Sequence, residues 1–391
     1  MRIFVLGAGG TGSLLAQLLA RQGHTVWCGD RDPERARRFL GKKSGIEVVE
    51  ANSRNVWSIV RAGRGANLIV NASLAVYNEI VLRAALRLRA HYVDLSAHLT
   101  RTPFKPEQFR FHKRFLAKNR AALICAGAAP GLTNVLAQRG AELLDSVESV
   151  QLRLFEGTDS KGLISTWSPE VAYDAAISRP RVYRDGRFAL EKRFADREKF
   201  RFPAPIGETA VFLAAQDEVC MIPYAIHIHD MDAKIGGNDY ERLRRWYRQG
   251  RLNKSQGMAK KRFPKTLPPK QVARLIRDGK FANARFAAAV LVRGVKDDQP
   301  LLIRWDVSFP TLFQIRQRGL VSTPIAYATA HLAAIFIKNF VRHVPRGLAG
   351  VITPSDLPVE ARRAIVADAR AKEFRISLRI TRLKKNIDDE F

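Results

Sequence analysis

Residues 2–32 read RIFVLGAGGTGSLLAQLLARQGHTVWCGDRD, and the reading of this stretch decides the fold. Residues 3–6 are a short apolar run suited to a strand buried on both faces, and the run stops abruptly at Gly7-Ala8-Gly9-Gly10-Thr11-Gly12. This is G-x-G-x-x-G between a strand and a helix. Gly7 allows the tight turn, Gly9 lets the backbone approach a pyrophosphate, and Gly12 lets the following helix lie close to the sheet. Gly10 and Thr11 open that helix, whose N-terminus presents unpaired N–H groups and the positive end of its dipole to phosphates. Leu14, Leu15, Leu18 and Leu19 give the helix its apolar stripe, and Gly23 is the expected stop. A second strand from residue 25 leads to Asp30, 18 residues beyond Gly12 and near the roughly 20 expected of a ribose-binding acid. Asp30 suits the free ribose hydroxyls of NAD and repels a 2′-phosphate, while Arg31 beside it is a phosphate partner that keeps NADP open. A glycine-rich turn that binds nothing is the plain alternative. Strand, loop, helix, second strand and terminal acid in one ordered unit argue against it.

The rest of the composition fits a globular chain of 391 residues with 46% hydrophobic content, enough for two or more domains. Three cysteines lack paired spacing, and Cys28 and Cys125 lie in apolar runs, so no disulfide and a reducing compartment are expected. The chain enters its first strand at once, which leaves no room for a secretory leader and points to a cytoplasmic location. The apolar stretch 325–337 is interrupted by His331 and is shorter than the roughly 20 residues a bilayer requires, so no membrane span is expected.

The net charge of +29 is the oddest global feature. Arg242, Arg244, Arg245, Arg248, Arg251, Lys254, Lys260, Lys261, Arg262 and Lys265 crowd one segment, and Arg110, Lys113, Arg114, Lys118 and Arg120 another. Such a surface binds polyanions nonspecifically, but no nucleic-acid-binding motif accompanies it.

Helices are expected over 33–40, 56–62, 78–89 and 108–119, alternating with strands at 46–49, 68–71, 91–94 and 121–126. The strand at 68–71 ends in Asn71-Ala72-Ser73, expected to line the cofactor's nicotinamide-side ribose, and the strand at 91–94 ends in Asp94. A Rossmann dinucleotide-binding domain over 1–130 follows. From residue 149 apolar and polar residues alternate, with further strands at 286–292 and 301–307 flanking a hairpin loop at 293–299. These indicate an α+β second domain with a mostly antiparallel sheet over 131–320, carrying a basic excursion at 237–282. Residues 321–391 hold a helix begun by Ser322-Thr323-Pro324 and an edge strand at 374–380, both expected to return toward the first domain.

At Asn71-Ala72-Ser73, His91-Tyr92-Val93-Asp94-Leu95-Ser96 and Ala129-Pro130-Gly131-Leu132-Thr133-Asn134, taken in order after the glycine loop, the chain resembles the saccharopine dehydrogenase family. The likeness continues through Trp167-Ser168-Pro169-Glu170, Pro205-Ile206-Gly207-Glu208 and Gly350-Val351-Ile352-Thr353-Pro354, and is poor over 237–282. The resemblance implies a nicotinamide cofactor in the first domain, a small amino-acid-derived substrate between domains, and hydride transfer at a C–N carbon. Its members include saccharopine reductases and lysine 6-dehydrogenases. A homodimer is the expected assembly.

Oxidising an amine to an imine requires a base for the ammonium proton, worth roughly 10²–10⁴ in rate when well placed. Asp94 is the first candidate, with a cap or turn role as its plain alternative. Glu208 and Glu218 are candidates to pair with a substrate ammonium, or else surface carboxylates. His98 is a candidate proton carrier. Gly131 opens a helix at residues 131–134, whose N–H groups are candidates for a substrate carboxylate or the nicotinamide amide. His227 and His229 fall on one face of an expected strand, but no third ligand stands at motif spacing and hydride chemistry needs no metal, so no metal site is expected. The competing function is a nucleotide-sensing or polyanion-binding protein that kept the fold without the reaction.

Overall fold

The computed structural model describes residues 1–41, 44–161, 169–252 and 267–384. Two sheets organise them. The first has seven parallel strands in the order Gly350–Ile352, Ala121–Leu123, His91–Asp94, Leu68–Asn71, Arg2–Leu6, Thr25–Asp30 and Glu47–Glu50. Strand order reverses beside Arg2–Leu6, whose neighbours Thr25–Asp30 and Leu68–Asn71 lead away in opposite directions. This is the switch point at which doubly wound sheets leave a crevice beyond the strands' carboxyl ends. Ile3, Phe4, Val5 and Leu6 are fully buried, as a strand covered on both faces requires.

The second sheet joins nine strands, with Ser146–Ser160 at its centre. That strand pairs antiparallel with Phe281–Lys296 and parallel with Asp230–Gly236, and the other pairings in the sheet are antiparallel. The fold class is therefore α/β, a Rossmann-like domain joined to a domain built on a larger mixed sheet.

Four elements differ from the sequence reading. The strand expected over 121–126 ends at Leu123, because Cys125 takes φ +61° and turns the chain into the following loop. The helix expected over 108–119 is a 3-10 turn, Glu107–Phe111, and a short helix, His112–Leu116. Glu107 and Gln108 turn inward to hydrogen-bond the preceding loop. The hairpin loop expected at 293–299 shrinks to Asp297-Asp298. Both residues adopt positive φ, the two-residue turn whose twist matches the flanking strands.

The fourth difference concerns the C-terminal third. The edge strand Arg375–Arg382 pairs with Gln299–Ser308 in the second sheet rather than returning to the first. The strand that does return is Gly350–Ile352, only three residues long and too short to carry a periodic signal. Helix Pro324–His343 also returns, lying against Gly10–Arg21, with Thr323 Oγ1 accepting from Ala326 N at its start. At 20 residues it is longer than its apolar stretch suggested and is long and apolar enough to cross a bilayer. Its side chains are nonetheless mostly buried in the protein, against both domains. All three cysteines are free and buried.

Candidate active site

The glycine loop has the expected mechanics. A Cβ on Gly12 would fall 1.9 Å from Gly7 O, and one on Gly7 would fall 2.8 Å from Ser73 N, so both glycines hold the loop against its neighbours. Gly9 is different: a Cβ there would meet nothing within 4 Å. Packing within the protein therefore does not require a glycine there, and the space above its Cα is open. Gly9 is also the N-cap of helix Gly10–Arg21, with no side-chain cap and no acid in the first turn, so the helix end is free for an anion. Asp30 closes the loop, Oδ2 accepting from Ala8 N at 2.9 Å and Oδ1 from Asp32 N at 3.0 Å. Arg31 is exposed.

Asn71-Ala72-Ser73 lies directly against this loop, since atoms of Ala72 crowd both Gly7 and Gly12. Asn71 is buried; its Oδ1 accepts from Ser73 N at 3.1 Å and its Nδ2 donates to Asn78 Oδ1 at 2.7 Å. These bonds fix the strand end beside the switch point.

Asp94 ends the next strand and is 1% exposed. Its Oδ1 accepts from Cys125 N at 2.7 Å, and its Oδ2 accepts from Tyr92 Oη at 3.0 Å and Gln108 Nε2 at 3.1 Å. Burial raises its carboxyl to about 7 against these bonds. Asp94 thus holds Cys125 in a left-handed conformation that costs a residue of this kind of order 1–3 kcal/mol. Its oxygens face protein donors rather than an open cleft, in contrast to a base simply delivered to the crevice.

The second domain contributes the adjacent groups. Asp217–Cys220 forms a 3-10 turn whose Asp217 Oδ2 accepts from Ala97 N at 2.9 Å. Glu218 is completely buried; its Oε1 accepts from Thr133 Oγ1 at 2.7 Å, and its Oε2 has no hydrogen-bond partner among the described residues. Burial raises Glu218 to about 7, and Asp217 is raised by burial as well. The Cys125 thiol, pushed far up by burial, also feels Asp94, Asp217, Cys220 and Glu218, which places all of them in one cluster.

Of the expected site residues, the structure brings Asp94 and Glu218 together and leaves Glu208 apart. Glu208 is exposed at the far end of strand Gly207–Leu213, with Lys199 and Arg201 of the adjoining strand as its ion-pair partners. Three of the four N–H groups expected to bind a ligand at 131–134 are occupied: Gly131 N donates to Asn134 Oδ1, Leu132 N to Gly127 O and Thr133 N to Ala128 O. Gly131 is required there by its φ of +132° and by contact with Gly127, whose carbonyl oxygen would lie 2.1 Å from a Cβ. His227 and His229 are exposed in the segment before strand Asp230–Gly236, not within it. Trp167 and Ser168 lie outside the described residues.

Sequence reasoning missed Tyr92, Gln108, Cys125 and Asp217. Tyr92 had a usable signal, because alternate residues of a strand share a face and Asp94 is two residues on.

Residues 3–123 match the family model described as saccharopine dehydrogenase NADP binding domain. The match spans the N-terminal domain, which is similar to the dinucleotide-binding domain of that family. Its cofactor is accordingly a nicotinamide dinucleotide, NAD(P), and its residues fit one at Gly9 and the free helix end. The whole fold is similar to apo saccharopine dehydrogenase (L-Glu forming) from Saccharomyces cerevisiae. The two share a TM-score of 0.71 and 12% identity, over 97% of this chain and 99% of that one. A weaker likeness, TM-score 0.48 and 11% identity over 95% and 99% of the two chains, is to C. glutamicum DAP dehydrogenase in complex with DAP.

Proposed function

We propose that the protein is an NAD(P)-dependent oxidoreductase of the saccharopine dehydrogenase type, acting at the C–N bond of an amino-acid-derived substrate held between the two domains. One observation carries this reading. Two buried carboxyls, Asp94 and Glu218, each raised to about 7, lie around Cys125, in the loop just past the strand of the first sheet that ends at Leu123. A group with a pKa near the working pH is the one suited to take and return a proton, and hydride transfer at an amine carbon requires such a group.

The bound nicotinamide would accept or donate the hydride. Gly9 and the N–H groups of the helix that follows would hold its pyrophosphate, Asp30 its adenosine ribose, and Asn71 to Ser73 its other ribose. Glu218, whose Oε2 is unpartnered, is the carboxylate we assign to the substrate amine. Asp94 sets the turn at Cys125, and its carboxyl, raised to about 7, is the second group assigned to hold a proton beside the substrate amine. Asp30 favours NAD over NADP.

Glu218→Gln tests the assignment, because glutamine retains an oxygen for the Thr133 hydroxyl and removes the charge. The expected result is a rise in KM for the amine with cofactor affinity unchanged. An unaltered KM would assign the amine to another group.

A further inference from the structure

Away from the acidic cluster, three side chains of the first domain converge. Glu79 comes from helix Asn78–Leu88, His98 from the loop after strand His91–Asp94, and Glu107 from the 3-10 turn Glu107–Phe111. His98 Nδ1 lies 3.4 Å from Glu79 Oε2 and 4.0 Å from Glu107 Oε2, and the three ligand atoms lie within 4.8 Å of one another. His98 is 8% exposed and Glu107 3%. Neither His98 Nδ1 nor Glu107 Oε2 makes a hydrogen bond, although both are buried and face each other. Burying a carboxylate oxygen and an imidazole nitrogen side by side without hydrogen bonds is costly unless a further partner joins them.

From these observations we propose that Glu79, His98 and Glu107 form a zinc site, with water as the fourth ligand. Zinc bonds of about 2.0–2.2 Å to nitrogen and carboxylate oxygen put tetrahedral ligand atoms about 3.3–3.6 Å apart. The observed 3.4 Å already matches, and the 4.0 Å pair and the pair of carboxylate oxygens, within 4.8 Å, close by side-chain movement. The orientation of Glu107 is set in advance: its Oε1 accepts from Thr100 N, Thr100 Oγ1 and Arg101 N at 3.0, 2.6 and 2.7 Å, which leaves Oε2 as the free ligand atom. Such fixing of a ligand by outer hydrogen bonds is typical of metal sites.

Two arginines bear on the site without filling it. Arg110 lies 3.6 Å from Glu79 Oε1, the oxygen turned away from His98, and the exposed Arg101 side chain lies 3.4 Å from Glu107 Oε2 and would swing into solvent when zinc binds. The ion would fasten a loop that reaches the second domain. Ala97 N donates to Asp217, Arg181 Nε donates to Pro103 O, and Phe104 stacks on Phe188 at 5.4 Å between ring centroids. Zinc here would therefore fix the first domain against the turn that carries Glu218.

The test uses the full chain, stripped with chelator and titrated with Zn²⁺, with Co²⁺ as the spectroscopic probe. The expected result is one Zn²⁺ per chain, visible absorption of tetrahedral cobalt, and a melting temperature that rises with zinc. His98→Ala and Glu107→Gln should each lower zinc affinity roughly 100-fold or more, as expected for loss of a direct ligand. Glu79→Gln, at the less buried edge, should do the same in a chain whose circular dichroism is unchanged, and decides the matter if the other two variants fail to fold. Absence of stoichiometric zinc would overturn the proposal. So would zinc that survives Glu79→Gln and is lost instead from a His227→Ala/His229→Ala chain.

Discussion

Replacing Asp94 by asparagine separates the proton-handling role of this side chain from its packing role. Asparagine can keep one oxygen for Cys125 N, but its amide then faces Tyr92 Oη and Gln108 Nε2. The tyrosine hydroxyl can rotate to accept. Gln108 cannot reverse, because its Oε1 accepts from His98 N and its Nε2 also donates to Ser96 O, each at 3.1 Å. One buried donor is left facing another, which costs about 1–3 kcal/mol. The variant should fold, with stability reduced by that order and cofactor affinity nearly kept. Its turnover should fall roughly 10²-fold or more, equivalent to about 2.7 kcal/mol in the barrier. Urea unfolding, cofactor titration and steady-state rates measure the three quantities. The pH dependence has a defined sign. Asp94 and Glu218 titrate near 7 in the folded chain against 3.8 and 4.5 ordinarily, so between about pH 4 and 7 the folded state holds protons that the unfolded state has released. Their contribution to stability is full below that window and declines as pH rises through it, and Asp94→Asn should make the decline shallower. Wild-type turnover in the asparagine variant would refute the assignment and leave Asp94 a purely structural residue.

Other consequences can be checked by substitution and by titration. Gly9→Val should abolish cofactor binding in a chain that still folds, since its backbone is at φ −80° and the space for a side chain is open; unchanged affinity by fluorescence titration would remove the dinucleotide site. The protein should bind NAD(H) more tightly than NADP(H), and a clear preference for NADP(H) in the same titration would show that Arg31 rather than Asp30 governs the ribose pocket. Replacing Arg245, Arg248, Arg274 and Arg277 by glutamine should weaken retention on a polyanion column and flatten its salt dependence, with turnover scarcely changed; a large loss of turnover would place the basic segment at the site.

The legible part of the molecule was its local and periodic part. Pro33–Leu40, Val56–Ala62 and the strands Leu68–Asn71 and His91–Asp94 fall where apolar spacing and caps put them, because each is specified by its own residues. The turn and packing roles of Gly7 and Gly12 in the glycine loop were legible in the sequence. What stayed hidden is contact between distant segments. Nothing in Gly350–Ile352 announces a partner at Ala121–Leu123, and nothing near Asp94 announces Gln108 or the Cys125 N–H that occupy its oxygens. Glu208 and Glu218 look alike as sequence. Only the turn Asp217–Cys220, buried against Ala97 and Thr133, sets one at the cluster and leaves the other in solvent.

The most direct test of the central claim is a turnover screen in which wild-type protein and Gly9→Val are incubated with NAD⁺ or NADP⁺ and a panel of amino acids and their secondary-amine derivatives, while nicotinamide absorbance is followed. The account predicts that at least one such amine drives cofactor reduction by the wild-type chain and none does so with Gly9→Val. A wild-type chain that binds the dinucleotide but leaves its oxidation state unchanged across the whole panel, in both directions of reaction, would contradict the account and favour a nucleotide-sensing protein on the same fold.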